Sequence, residues 1–193
     1  MKSLCVGIYG ETCAGKSTLG KHLGSVMGCP YISFGDLKRQ EISAGTEIGI
    51  AIKQLLAQSC PLPAELGYAV IRSRIASGLN FISGYPISVD EFNTFSTHVS
   101  MIGIVALSVD EITLIQRFGL RRECPECHLP GIIGDVCSVH QIQMVHREDV
   151  RLDELMARRN LYRQRIAPFL ESGSVKVLPQ LSLDSSVLGT VAE

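Results

Sequence analysis

The chain has almost no net charge: 18 lysines and arginines stand against 19 aspartates and glutamates, leaving −1 over 193 residues. Such a balance excludes bulk electrostatic attraction to nucleic acid or to an anionic membrane. Long apolar runs are missing too, and none approaches the ~18 residues of a membrane-spanning helix. After Met1-Lys2-Ser3 the apolar residues 4–9 run straight into a glycine loop, too short for a secretory signal. Seven cysteines, an odd number with no such signal, argue against a disulfide framework. Charged residues, at 19%, are too few for disorder, and 46% hydrophobic residues suffice for a real core. The expectation is a soluble, cytoplasmic, monomeric protein with no nucleic-acid or membrane partner. Its length fits one domain with room for an inserted sub-domain.

What is present is unevenly placed. Cys5, Cys13, Cys29 and Cys60 are scattered among apolar neighbours, as small buried residues are. Cys124, Cys127 and Cys137 instead fall within fourteen positions. Nine of the twelve arginines lie between 117 and 165, so the net charge conceals a cationic segment. Within it Arg151, Arg159, Arg163 and Arg165 read as a solvated helix face.

Apolar periodicity predicts strands over 4–9, 29–33, 79–83, 99–107 and 175–178, the fourth apolar enough for a central parallel strand. Helices are predicted over 16–27, 64–77, 111–118 and 152–170, and over 36–58 with Gly45 and Gly49 as breaks. Residues 119–148 show no helical period. Strand–helix alternation of this kind implies an α/β fold, a doubly wound parallel five-stranded sheet interrupted by one non-helical insertion.

Between the first strand and first helix, Gly10-Glu-Thr-Cys13-Ala14-Gly15-Lys16-Ser17 fits the phosphate-loop pattern G-x-x-x-x-G-K-[ST]. The glycines let successive N–H groups turn inward as an anion nest, backed by the N-terminus of the helix over 16–27, with Thr18 in its first turn. Lys16 reaches β- and γ-phosphate oxygens and Ser17 suits Mg²⁺, so the loop is expected to bind ATP. Further on, Cys124-Pro-Glu-Cys127 and Cys137-Ser-Val-His140 form C-x₂-C-x₉-C-x₂-H. Two such knuckles suit a tetrahedral, structural Zn²⁺, with no position left open for catalysis. A nucleic-acid-binding zinc finger would need a basic helix after the second pair, and Gln141-Ile-Gln-Met-Val is neither basic nor clearly helical. His128 and His146 are alternative fourth ligands without the paired spacing.

Several further motifs, in order, resemble the adenylate kinase family of nucleoside monophosphate kinases, and the likeness covers nearly the whole chain. Ile32-Ser-Phe34-Gly-Asp36-Leu-Lys-Arg39 resembles the family's G-D-x-L-R segment, and Ser43-Ala-Gly-Thr-Glu-Ile-Gly49 the S-G-x-x-x-G that follows. Leu62-Pro-Ala-Glu-Leu66 resembles the start of the next helix, and Gly84-Tyr-Pro86 stands where the family has D-G-F-P-R. Arg117-Phe-Gly-Leu-Arg121-Arg122, then Arg147-Glu-Asp149, Arg158, Tyr162 and Ala167-Pro168, are similar to the segments flanking the family's lid. The resemblance implies a core (1–32, 63–118, 149–193), an acceptor-binding insertion (33–62) and a zinc-binding lid (119–148). It places Lys16, Arg121, Arg147 and Arg158 around the transferring phosphoryl group and Arg117 near the donor base. Acceptor contacts would come from Phe34, Arg39, Leu62, Gly84, Ile87, Glu91, Arg147 and Arg158. Phosphoryl transfer needs charge neutralisation, in-line positioning and exclusion of water, so a closing lid carrying arginines suits it.

The departures lie mostly at the acceptor end. Ile87 replaces the arginine after G-F-P, Ser83 the preceding aspartate, Phe34 a threonine and Glu91 a glutamine that reads adenine. An arginine–phosphate contact can carry ~2–5 kcal/mol, so its loss weakens AMP binding unless another cation substitutes. Ser17 replaces a family glycine and restores the general phosphate-loop form. Three readings follow: a kinase with AMP as default acceptor, a kinase of the same fold for an unusual nucleotide or small molecule, or a catalytically weak nucleotide-binding regulator.

Overall fold

The computed structural model describes residues 3–58, 60–127, 130–146, 152–171, 176–177 and 181–182. Strand β1 (Ser3–Gly10) delivers the phosphate loop to helix α1 (Lys16–Met27), which Gly28 ends in the left-handed region at φ 62°. After β2 (Tyr31–Ser33) come α2 (Phe34–Ser43) and α3 (Glu47–Ala57), each begun by a hydroxyl cap, Ser33 and Thr46. Gly45, at φ 63°, makes the break between them. Gly49 does not break a helix; it lies inside α3, where an added Cβ would stand 2.0 Å from the Glu41 carbonyl oxygen of α2. Only a residue without a side chain lets the two helices approach so closely.

Helix α4 (Ala64–Ile71) and a 3₁₀ turn (Arg72–Arg74) lead to β3 (Leu79–Ser83). Helix α5 (Val89–His98) then runs into β4 (Val99–Ser108). The apolar pattern does not announce α5, but Ser88-Val-Asp-Glu91 has the Ser-x-x-Glu form of a helix start, and the Ser88 hydroxyl accepts the Glu91 N–H at 3.3 Å. After α6 (Glu111–Leu120), β5 (Arg121–Glu123), β6 (Pro130–Ile132) and β7 (Val145–His146) pair antiparallel in the order β6-β5-β7. Helix α7 (Leu152–Leu161) passes through a π-helical turn (Tyr162–Ile166) into α8 (Ala167–Glu171). Pro168 has no N–H to continue the α-helical ladder, which accounts for the shift in register.

The main sheet is parallel in the order β2-β3-β1-β4-β8, where β8 is Leu181–Ser182. The fifth strand therefore pairs later than the predicted 175–178: within that window Val177 makes a single parallel bridge to Ile104, and residues 175 and 178 lie outside the described ones. Helices cover both faces. On one, Phe34, Ile52, Ile71, Tyr85 and Phe95 pack together; on the other, Ile8, Phe81, Val105 and Leu114 pack under α1. Burying such large apolar side chains contributes ~1.5–3 kcal/mol each.

Asn80, fully buried on β3, is one of two buried polar residues among the described ones, with Ser83. Its Oδ1 accepts the Ala76 N–H at 2.9 Å, and its Nδ2 donates to the carbonyls of Leu4, Ala76 and Gly78 at 3.1, 2.9 and 3.1 Å. The side chain thus fastens the turn before β3 to the start of β1. Replacement by alanine leaves those main-chain groups short of partners and opens a cavity. We predict a loss of about 3 kcal/mol in urea unfolding; a loss under about 1 kcal/mol would contradict the role given to these bonds.

Candidate active site

The phosphate loop is shaped by its backbone. Cys13 and Gly15 adopt left-handed φ values of 67° and 91°, and the Ala14 N–H closes the turn on the Glu11 carbonyl at 3.1 Å. Two kinks of this kind, separated by Ala14, turn main-chain N–H groups toward a common concavity. No side chain caps the start of α1 and no acidic residue lies in its first turn, so the positive helix end faces that concavity uncompensated. Cys13 tolerates a conformation that favours glycine, at ~1 kcal/mol or more.

The Lys16 ammonium donates to the carbonyls of Gly10 and Glu11 at 2.8 and 2.7 Å. Burial, with a further push from Arg121, lowers its pKa to about 8. Arg121 reaches the loop directly, its Nη1 standing 4.0 Å from the Cys13 sulfur. Arg117, one turn earlier on α6, buries both terminal nitrogens with no hydrogen-bond partner among the described residues. A buried guanidinium without acceptors is costly to fold and fits a group completed by a ligand.

Beside Lys16, the Tyr31 hydroxyl donates to Ser17 Oγ at 3.2 Å and lies 2.6 Å from Ser83 Oγ. Gly20 permits this, since the Tyr31 ring lies 2.2 Å from where its Cβ would be. Tyr31 escaped the sequence reading because nothing local marks a strand tyrosine as crossing a helix. The three oxygens are neutral. Such hydroxyls suit Mg²⁺ only as minor partners to phosphate oxygens and water.

Arg39 is ion-paired with Asp36 on α2. Phe34 is buried against Tyr85, ring centroids 5.1 Å apart, and Leu62 packs on the same cluster. Gly84, at φ 79°, turns the chain so that its absent Cβ would lie 3.7 Å from that of Phe34. The Ile87 side chain packs against the cluster of Tyr9, Ile104 and Phe169, and its N–H donates to Glu91 at 2.6 Å. Burial raises the Glu91 carboxyl above its ordinary pKa, an effect opposed by that hydrogen bond and by Lys38. Arg158 is exposed on α7, while Arg147 and His128 lie outside the described residues.

Arg159 is not part of a solvated face. Its side chain is only 13% exposed, and it holds Glu11 of the phosphate loop at 2.9 Å together with Glu111 at the start of α6. Arg163 adds a second contact to Glu11 at 3.2 Å, though from an exposed position. Sequence spacing alone gave no sign that Glu11 points away from the nest to join the helices on either side of residues 121–146.

Within that segment Cys124, Cys127, Cys137 and His140 bring four ligand atoms within 4.8 Å of one another. Cys127 and Cys137 sulfurs are 3.8 Å apart, and His140 Nδ1 stands 3.6 and 3.7 Å from the sulfurs of Cys124 and Cys137. A tetrahedral zinc with ordinary bond lengths has S–S edges of ~3.8 Å and S–N edges of ~3.5 Å. The donor set fits. The His140 N–H points at the Cys137 sulfur from 3.4 Å, and main-chain donors of this kind lower that thiol's pKa to about 6. His146 instead lies edge-on to Phe118, 6.0 Å between rings, outside this group of four.

No protein-family profile matches the chain. Curated relatives do. An adenylate kinase of Pseudothermotoga lettingae is 30% identical over 190 residues, spanning 89% of this chain and 85% of its own. Those of Kosmotoga olearia and Trichlorobacter lovleyi are 26% and 27% identical over 179 and 177 residues, each covering 83% of the relative. No helix among the described residues is long and apolar enough to cross a membrane.

Proposed function

Because the chain belongs to the adenylate kinase family, and is an ATP-dependent phosphotransferase acting on nucleoside monophosphates, we propose that AMP is its default acceptor and that the residues above divide the work as follows. The concavity of residues 10–18, with Gly10, Cys13, Ala14, Gly15, Lys16, Ser17 and Thr18, holds the ATP phosphates, and Arg117 covers the donor base. Lys16, Arg121, Arg147 and Arg158 gather around the transferring group and spread its charge over fixed cations. Little else is required of the protein, since the reaction is governed by positioning and electrostatics. Mg²⁺ would sit on Ser17 and supply further neutralisation of the phosphates when bound. Residues 33–62 form the acceptor-binding insertion and 119–148 the lid, with a structural zinc on Cys124, Cys127, Cys137 and His140.

The observation that carries this reading is the pairing of an uncapped α1 with a desolvated Lys16 and an Arg121 that already reaches the loop. A coupled assay for ADP should show ATP-dependent transfer to AMP. If AMP, GMP, CMP and UMP all fail as acceptors, the reading fails. A second reading, the same chemistry on an unusual nucleotide or small molecule, is favoured by one observation: Ile87 faces the core and Glu91 occupies its N–H. It predicts an acceptor turned over much faster than AMP in a screen by ADP release.

A further inference from the structure

The turn over residues 84–87 supplies no cation to the acceptor, because Ile87 packs into the Tyr9–Phe169 cluster. The Ile87 N–H is bound by Glu91 at 2.6 Å. Packed against this turn is Phe34, and over Phe34 lies Lys38 on α2. Lys38 lies one helical turn beyond Phe34 and holds its ammonium over that ring, 5.0 Å from the centroid. The ring is itself fixed, buried against Tyr85 and next to Gly84. The ammonium is therefore held over a ring that packs against this turn.

Resting on the kinase reading, we propose that Lys38 is the cation that meets the acceptor's phosphate group, taking the place that Ile87 leaves empty. Its electrical surroundings agree. Burial, then repulsion from Arg39 and Arg158, draw the ammonium below the ordinary lysine range, with Glu91 opposing. A phosphate dianion brought beside Lys38 would favour its charged form and reverse that shift. Among the described residues Asp36 is paired with Arg39, and Glu91 is engaged with the Ile87 N–H. A lysine also suits the task from a neighbouring helix, being a point charge on a long flexible stem rather than a planar fork.

The test compares AMP with adenosine, which differ by the phosphate alone. Each is titrated into wild type, Lys38→Met and Lys38→Arg, followed by NMR, with steady-state transfer measured in parallel. Methionine keeps the packing on Phe34 while removing the charge. We expect Lys38→Met to weaken AMP binding by about tenfold or more, with adenosine binding and the KM for ATP changed less than about twofold, and Lys38→Arg to recover most of the loss. An AMP affinity within about twofold of wild type in Lys38→Met overturns the proposal. Equal weakening of AMP and adenosine also overturns it, since Lys38 would then serve the nucleoside. A wild type that binds AMP yet transfers to no monophosphate sinks the kinase reading, and the binding contrast still decides Lys38. A wild type that binds no monophosphate overturns both.

Discussion

Lys16→Met is expected to lower phosphoryl transfer by about 10²–10³-fold or more, while making the nucleotide-free protein harder to unfold. The two effects share one cause. The Lys16 ammonium is held in a desolvated position, bonded to the Gly10 and Glu11 carbonyls and repelled by Arg121, which lowers its pKa from 10.5 to about 8. The folded state thus binds a proton there less readily than the unfolded chain does. Between pH of about 8 and 10.5 the unfolded state carries more protons, so the contribution of this lysine to stability improves as pH rises through that window. Below it the charged, poorly solvated ammonium is a full penalty, on the order of a few kcal/mol. Methionine removes the penalty and the catalysis together.

Urea unfolding at pH 7 and an ADP-release assay check the pair of effects, and misfolding cannot produce both. The wild type adds a pH signature of defined sign. Only the protonated amine neutralises phosphate oxygens, so kcat/KM for ATP should hold below pH of about 8 and fall above it, with the fall missing from the residual activity of Lys16→Met. In the complex the phosphates favour the ammonium, so kcat itself should fall only at higher pH. A variant that retains transfer within about tenfold of wild type would remove Lys16 from the catalytic set.

The elements that sequence made legible are those whose cause is local. The glycine spacing of residues 10–17, the hydroxyl caps and the apolar run of β4 each act within a few residues, and the sheet and the nest appear where they imply. The surroundings of Ile87 and Lys38 were not legible, because their geometry is decided across the fold. Ile87 turns inward only because Tyr9 and Phe169 come together there, from residues 9 and 169 of the chain. Lys38 becomes a candidate only once Phe34 is seen beneath it, and Tyr31 only once Gly20 is seen to admit its ring. Arg159 looked like one more surface charge until Glu11 and Glu111 closed on it. Charged side chains carry no periodicity that reveals a distant partner, so position alone separates a solvated arginine from an ion-paired one.

Removal of the proposed zinc should release residues 121–146 while leaving the core folded. The antiparallel strands there are three, three and two residues long, far below what holds a sheet in water unaided. Their buried centre consists of Cys124, Cys137 and Met144, with Cys127 and Ile142 alongside, too few apolar groups to form a core. Three thiols, Cys124 and Cys137 fully buried and Cys127 partly so, converge with the His140 imidazole through contacts of 3.6–3.8 Å. A tetrahedral zinc supplies about 10–16 kcal/mol in small knuckles of this kind, enough to decide whether the segment folds. Purified protein should therefore contain one zinc per chain, and Cys124→Ser should lose it. Protease cleavage within 121–146 should then accelerate by about tenfold or more, with the urea midpoint of the core little changed. Transfer should weaken as well, because Arg121 begins β5 and is placed by it beside Cys13. Rescue by added zinc in wild type stripped with a chelator, and its failure in Cys124→Ser, separates metal loss from a folding defect. Cys124→Ser protein that keeps a full equivalent of zinc would show that the ion, if bound, is held by a different set of ligands.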